Sequence, residues 1–299
     1  MTWRVLQDHE KEELLFAATE YGIYFSINGG DRWIKLKGNV PIISFRDLAI
    51  QKRETDLIGA SFGRSFYIFD DYSVLRELSE KQMKAEGTLF SVRKAWWYIP
   101  RSHLGFGDRP KGTQGHSHYT APNPPFGAVF TYHLSSDLQS KKDIRQGREK
   151  TSNEKNNDVD FPGWDVVEAE RRELGPKTLM VVKDNNGNVI RRINGSAKKG
   201  FHRVSWDLRY PSPMAVRLDA NNNQMPGFMV APGTFSVTMY KQVDGQTTQL
   251  SDPQEFQVVQ LREGALATDS PKQVAKFWRK FENVSRIGSA VQILSLIHI

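Results

Sequence analysis

Short apolar runs that end in glycine- and asparagine-rich turns constrain the fold of this chain more than any other feature of its sequence. Residues 14–36 read LLFAATEYGIYFSINGGDRWIKL. The runs LLFAATE and IYFS are too short for amphipathic helices and suit buried strands. Asn28-Gly29-Gly30 supplies the positive φ angles that a tight hairpin turn requires. The stretch therefore predicts a three-stranded antiparallel meander, with Trp33 where the third strand begins.

The next stretch repeats this arrangement. FRDLAIQ (45–51), DLIGASFG (56–63) and SFYIFDD (65–71) predict three more strands, and the last two match LLFAATEYG and IYFSINGG in placement. Two units of about 40 residues in tandem are typical of propeller blades. The second unit ends in Asp70-Asp71 without an Asn-Gly-Gly turn, as expected of a last blade. Residues 1–72 are therefore predicted to be terminal propeller blades.

The turn also carries a family resemblance. The pattern Ser26-x-Asn28-x-Gly30-x-Arg32-Trp33 resembles the Asp-box, or BNR repeat, with Asn28 in place of Asp and Arg32 in place of Thr. DLIGASFGRSFYIFDD is similar to the closing blade of exported bacterial proteins with sortilin-like propellers, often labelled glycosyl hydrolases. The resemblance implies that Ser26, Asn28, Gly30 and Trp33 are structural: the polar side chain binds amides of its own hairpin and the indole packs beneath.

A second β-rich region follows a connector. Residues 73–125 are predicted to be a helical connector (73–87) and a linker rich in Pro and Gly. Strand-like runs such as AVFTYHL (128–134) and the hairpin TLMVVKDNNGNVIRRI (178–193) predict a β-sandwich over residues 126–262, with a polar insertion at 135–175 that carries a helix at 165–174. This region resembles FlgD-like immunoglobulin-like domains, which are accessory or export-related sandwiches without an active site.

The C-terminal residues predict a helical segment at 263–293. DSPKQVAKFWRKFENV (269–284) has a capping Asp or Ser, a first-turn Pro and one apolar stripe that needs a partner, either the sandwich or a further helix. LSLIHI (294–299) resembles the translation of a transposon mosaic end used in sequencing libraries, with a natural apolar tail as the alternative. We therefore expect residues 294–299 to be an adapter artefact and the native chain to continue.

Composition excludes several classes of function. The net charge is +7, but much of the excess lies in residues 141–157, which lack interleaved aromatics, so we predict a solvated charge run and no nucleic-acid binding. The chain has no cysteine, which removes disulfides and thiolate chemistry. No apolar run approaches the ~20 residues of a membrane span.

Few residues are candidates for chemistry. His116 and His118 could hold a metal only with a third ligand, so no metal site and no cofactor are predicted. Asp70 and Asp71 would point to opposite faces of a strand, which favours a turn role over acid–base catalysis. Trp96 and Trp97 are candidates for glycan stacking, with packing between linker and sandwich as the alternative. No catalytic residue is predicted.

The sequence thus predicts an all-β protein: final blades of an Asp-box propeller, then an immunoglobulin-like sandwich, with short helical additions. Three functions stay open. The chain is a non-catalytic binding or structural module of an exported protein, whose full propeller engages a protein or polysaccharide; or part of a glycoside hydrolase with its carboxylates in other blades; or a secretion or assembly adaptor. The resemblance implies a secreted, periplasmic or cell-surface location, with a signal peptide on a preceding segment.

Overall fold

The protein is built mainly of β-strands. The computed structural model describes residues 1–100, 121–214, 226–264 and 269–297, and within these ranges most regular structure outside the last helix is antiparallel sheet. The prediction of an all-β fold is confirmed at this level. The chain divides into two compact units, Met1–Lys84 and Ala85–Ile299, which are described separately below.

The first unit contains two antiparallel sheets. Their strands are β1 (Thr2–Gln7), β2 (Leu15–Thr19), β3 (Gly22–Ser26), β4 (Ile34–Lys35), β5 (Phe45–Gln51), β6 (Asp56–Ser61) and β7 (Phe66–Phe69). The first sheet has the order β1-β2-β3-β4, and the second has the order β5-β6-β7. The strands predicted within residues 14–36 and 45–71 are confirmed, whereas β1 was not predicted.

The two sheets of the first unit share one apolar core. Phe16 and Ile23 from the first sheet and Phe45 and Leu57 from the second are all at most 3% exposed. At Gly59 in β6, a Cβ atom would lie 2.9 Å from both Ile23 Cδ1 and Phe45 Cδ1. Contacts this close leave no space for a side chain, so Gly59 lets the sheets pack tightly.

Two short helices end the first unit, at α1 (Val74–Glu77) and α2 (Glu80–Lys84). The sequence predicts one helix over 73–87, but Leu78 adopts an extended conformation with ψ 127° and separates the two. Val74 and Leu75 are buried, which places α1 against the core of the unit.

The second unit also contains two sheets. Their strands are β8 (Gly87–Leu89), β9 (Ala95–Trp97), β10 (Ala128–Leu134), β11 (Lys177–Asp184), β12 (Val189–Gly195), β13 (Gly200–Trp206), β14 (Gly233–Val243), β15 (Gln246–Gln249) and β16 (Gln254–Gln260). One sheet has the order β13-β10-β8; the other has the order β12-β11-β14-β16-β9, and β15 pairs with β14. β8 and β9 lie within the range predicted as connector and linker.

Both sheets of the second unit contribute to one core. Phe130 and Trp206 come from the smaller sheet, and Phe235 and Phe256 from the larger. The ring of Trp206, 1% exposed, lies edge-on to Phe235 with centroids 5.2 Å apart, and its indole N–H donates to the Arg209 carbonyl at 2.9 Å. The buried indole is thus satisfied as well as packed.

The polar insertion forms two helices, α3 (Lys141–Glu154) and α4 (Trp164–Arg172). The sequence predicts α4 but not α3, because the charge run conceals a capping box between Ser140 and Asp143. The guanidinium of Arg145 donates to both carboxylate oxygens of Glu170, at 2.7 and 2.8 Å, and so joins the two helices. Neither helix has a buried residue.

The last helix, α5 (Pro271–Ile297), begins as predicted but continues beyond residue 284. Trp278 stacks on Phe228 with ring centroids 4.3 Å apart. Of the predicted apolar stripe, Phe277 and Val284 are 60% and 68% exposed, so much of the stripe does not pack on the sandwich. No helix within the described ranges is both long and apolar enough to cross a membrane.

Candidate functional site

The Asn-Gly-Gly turn is held by its own side chains. Ser26, at the end of β3, is fully buried, and its hydroxyl accepts a hydrogen bond from the Gly30 N–H (2.9 Å) and donates to Asn28 Oδ1 (2.8 Å). Asn28 Oδ1 also accepts from the Arg32 N–H at 3.1 Å. Gly29 and Gly30 have φ values of 71° and 104°, which side chains disfavour. The Ser26 hydroxyl and the Asn28 amide oxygen are therefore both engaged within the hairpin.

Trp33 lies beside this turn. A Cβ atom on Gly30 would be 3.9 Å from the Trp33 ring, and the ring is 39% exposed. The indole is thus only partly covered by the turn. Its remaining surface lines a groove over the outer face of the four-stranded sheet.

This outer face is apolar and aromatic. Val5 of β1, Ala17 of β2 and Tyr24 of β3 lie side by side in register. We call this surface the tyrosine face, and it forms a groove of about 430 Å³ lined by Met1, Thr2, Val5, Ala17, Thr19, Tyr21, Tyr24 and Trp33. Tyr21 and Val5 are 63% and 52% exposed, so the groove is open to a partner.

The outer face of the three-stranded sheet also carries a cluster of apolar side chains, with Asp47 at its edge on β5. Ala49 of β5, Ile58 of β6 and Ile68 of β7 are neighbours in register, and Phe66 lies opposite Ala60. We call this surface the isoleucine face. Ile68 is 61% and Phe66 69% exposed. Exposed contiguous apolar patches mark interaction surfaces in folded proteins, so these two faces form the candidate functional site of the first unit.

A buried ion-pair network joins the beginning and the end of the first unit. The side chain of Asp8, in the loop after β1, is completely buried. Arg76 donates from Nε to Asp8 Oδ2 (2.8 Å) and from Nη2 to Oδ1 (2.9 Å), and the Tyr72 hydroxyl donates to Oδ1 (2.5 Å). The backbone N–H groups of Lys11 and Glu10 donate to Oδ2 at 2.9 and 3.1 Å.

The pKa values of Asp8 and Tyr72 are both shifted away from neutral pH, so neither group changes its protonation state there. Burial acts to raise the pKa of Asp8, but hydrogen bonds from Arg76, Tyr72 and two backbone amides outweigh burial and hold the pKa well below its usual range. Burial and the hydrogen bond to Asp8 raise the pKa of Tyr72 well above its ordinary value. Asp8 is therefore an anion and Tyr72 a neutral donor, as suits a structural ion pair. Tyr72 and Arg76 follow Asp8 by 64 and 68 positions in the sequence, so no local sequence motif predicts the network.

Asp71, one of the two acidic candidates, serves a turn. Asp71 has φ 48°, and its Oδ1 accepts from the Ser73 N–H (3.3 Å) and hydroxyl (2.6 Å). The Asp71 N–H donates to Asp56 Oδ1 at 2.9 Å. These bonds fix the chain where it leaves β7 and enters α1.

The two tryptophans of β9 lie on opposite faces of their strand, because successive residues of a strand alternate. Trp97 packs partly against the core of the second unit and donates its indole N–H to the Val230 carbonyl at 2.7 Å. The Lys94 ammonium lies 4.7 Å from the centre of the Trp96 ring. The pair does not form a common stacking platform, and Trp97 contributes to packing.

The histidine candidates, His116 and His118, lie outside the described residues. Within the described ranges, no group of three or more His, Asp or Glu side chains is arranged to hold a metal ion.

Comparison with known proteins gives little further information. No family model matches the chain, and no curated protein matches it. Among solved structures, the extracellular domain of a hybrid two-component system from B. thetaiotaomicron is similar over 86% of this chain, at 10% identity and a TM-score of 0.22. The chain spans 26% of the length of that structure.

Proposed function

We propose that the chain is a non-catalytic structural and binding module of an exported protein, in which residues 1–72 are consecutive layers of a larger stack of sheets, arranged as in an Asp-box propeller. The observation that carries this proposal is that both outer faces of the first unit carry clusters of neighbouring apolar side chains, although Lys35 lies on one face and Asp47 on the other. Val5, Ala17 and Tyr24 line one face, and Ile58, Ile68 and Phe66 the other.

The physical argument rests on what a sheet needs. A two-layer sandwich that is complete in itself buries its inner faces and presents polar residues outward. A sheet covered on both sides is apolar on both sides. The apolar clusters of the tyrosine face and the isoleucine face resemble the second pattern, so each suits contact with a further sheet. The hydrogen-bonded turn of Ser26 and Asn28 supports the same assignment, since its bonds brace a hairpin.

The second unit completes the proposal. Residues 126–262 would form an immunoglobulin-like sandwich, and the complete stack would present a surface to a protein or polysaccharide ligand outside the cytoplasm. The support is the pair of sheets around one core in the second unit, together with the family resemblance of the sequence phrases.

A structure of the protein expressed from its intact gene tests the stacking. We expect further sheets to cover both the tyrosine face and the isoleucine face, with Tyr24 and Ile68 buried. Either face lying open to solvent in that structure would contradict the proposal.

An activity assay tests the non-catalytic assignment. The purified chain, incubated with plant and bacterial polysaccharides, is expected to release no reducing sugar above a heat-denatured control. Release of reducing sugar that is lost on heat denaturation would show a glycosidase instead.

A further inference from the structure

The second unit contains a polar cavity of about 480 Å³ where α5 packs against the sheet region. Its walls come from the hairpin between β11 and β12, the segment after β13, and one side of α5. The residues that matter are Asp184, Asn188, Tyr210, Ser212, Glu282 and Arg286. Cavities of this size bind small molecules in other proteins.

Aromatic contacts fix the side of α5 that faces the cavity. Trp278 stacks on Phe228, and the Arg279 guanidinium lies 4.2 Å from the centre of the Tyr210 ring. Glu282 follows Trp278 by four residues, about one helical turn, and therefore faces the same way. Glu282 is 5% exposed, whereas its neighbour Phe281 is 47% exposed.

Glu282 has one oxygen in use and one without a partner. Oε2 accepts from Arg279 Nη1, while Oε1 is buried and has no hydrogen-bond partner among the described residues. A buried carboxylate oxygen left unpaired is unfavourable, so a ligand group that donates to it gains free energy. Asp184, by contrast, is engaged, since it accepts from the N–H groups of Asn186 and Asn188, both at 2.9 Å.

The charge balance of the cavity selects the class of ligand. Two carboxylates, Asp184 and Glu282, face two guanidinium groups, Arg279 and Arg286, so the ionised lining is neutral in sum. A ligand with a net charge therefore gains little. Burial raises the pKa of Tyr210, which keeps its hydroxyl neutral. The lining mixes donors and acceptors, and a hydroxyl group can serve both because it donates one proton and accepts at two lone pairs.

We propose that this cavity binds a neutral, hydroxyl-rich ligand of mono- or disaccharide size, with one ligand hydroxyl donating to Glu282 Oε1. Arg286 donates to other ligand oxygens, and Asn188 and Ser212 lie on the opposite wall. The site lies wholly within the second unit, so a test of sugar binding is independent of the sheet stacking proposed for the first unit.

Titration of the purified full chain with glucose, galactose, N-acetylglucosamine and maltose, followed by saturation-transfer NMR and calorimetry, tests the site. At least one sugar is expected to bind, and Glu282→Gln is expected to weaken it tenfold or more, because the amide places a donor or a weaker acceptor where the carboxylate accepted. Glu255→Gln, the same change at an exposed position of β16, is expected to leave binding unchanged.

A second variant guards against loss of helix docking. Ser212→Trp fills the cavity from the opposite wall and leaves Glu282 and the Trp278–Phe228 stack in place, so it is expected to abolish sugar binding while near-ultraviolet circular dichroism shows the tertiary fold retained. The proposal is overturned if no sugar binds up to ~10 mM, if Glu282→Gln and Ser212→Trp leave binding unchanged, or if glycine or methylammonium binds in place of the sugars.

Discussion

The strand β16 of the second unit and the strands β6 and β7 of the first unit distribute their apolar residues differently. In β16 of the second unit, Phe256 and Val258 are buried while Glu255 and Gln257 are exposed, which is the alternation of a sheet with one face in water. In β6 and β7 of the first unit, Leu57 faces the core, yet Ile58 and Ile68 on the opposite face are apolar as well. The comparison teaches that a strand in which apolar and polar residues alternate has one face in water. A strand that is apolar on both faces can be covered by a further sheet.

The units also differ in the interactions that stabilise them. The second unit relies on one apolar core in which Trp206 is central. The first unit adds a completely buried carboxylate, Asp8, that binds Tyr72 and Arg76 near the end of the unit. The predictions below challenge or refine these two contrasts, in order of decreasing effect.

The largest effect is expected in the core of the second unit. Trp206→Ala removes a fully buried ring and its hydrogen bond to the Arg209 carbonyl, which should lower the free energy of unfolding of that unit by about 4 kcal/mol. Urea unfolding monitored by circular dichroism measures the change. Trp164→Ala in α4, where the ring is 78% exposed, serves as the matched control and should change stability by less than ~0.5 kcal/mol.

Breaking the ion pair of the first unit should have the next largest effect. Arg76→Met leaves Asp8 charged and buried with one strong donor fewer, which should cost about 3 kcal/mol in the unfolding of the first unit. Lys84→Met removes an exposed pair with Glu80 and should be nearly neutral. Equal effects of the two substitutions would show that the buried pair does not fasten the unit.

Acid should loosen the first unit through Asp8. Because the pKa of Asp8 is depressed in the folded state, its stabilisation is complete above the unfolded pKa of about 3.9 and is lost as the pH falls below that value toward the folded pKa. Unfolding of the first unit should lose about 1 to 2 kcal/mol through this group by about pH 2.5. Urea titrations across this range should show the loss in the wild type and in Asp31→Asn but a smaller loss in Asp8→Asn.

The turn provides a smaller effect with an internal contrast. Ser26→Ala removes the acceptor of the Gly30 N–H and should cost about 1 kcal/mol. Ser44→Ala removes a buried hydroxyl that has no hydrogen-bond partner among the described residues, and should be neutral or slightly stabilising. Thermal unfolding of both variants of the first unit measures the difference, and a loss of stability in Ser44→Ala alone would reverse the assignment.

The smallest change in stability is expected on the isoleucine face. Ile68→Thr keeps a β-branched side chain on an exposed strand position, so the free energy of unfolding should change by less than ~0.5 kcal/mol. Binding of a hydrophobic fluorescent dye to the chain should nevertheless fall, because the patch becomes more polar. Unchanged dye binding would indicate that the face is not a cohesive apolar surface.

The sequence predicted most strands of both units because glycine and asparagine turns separate short apolar runs, as at Asn28-Gly29-Gly30. It missed β1, whose residues Trp3, Val5 and Gln7 mix apolar and polar types without a turn signal of their own. It missed α3 because Ser140 and Asp143 form a capping box inside a charge run. The Asp8 network and the Glu282 cavity depend on residues far apart in sequence, and only the folded chain brings them together.

The bond from Tyr72 to Asp8 spans 64 residues, which has a consequence for synthesis. A ribosome that has synthesised the strands of both sheets of the first unit has not yet added Tyr72 and Arg76, which supply the hydroxyl donor and the cation that bind the Asp8 carboxylate. The hairpins of the nascent chain can therefore pair first, and the Asp8 carboxylate gains its cationic partner only once Arg76 has been synthesised.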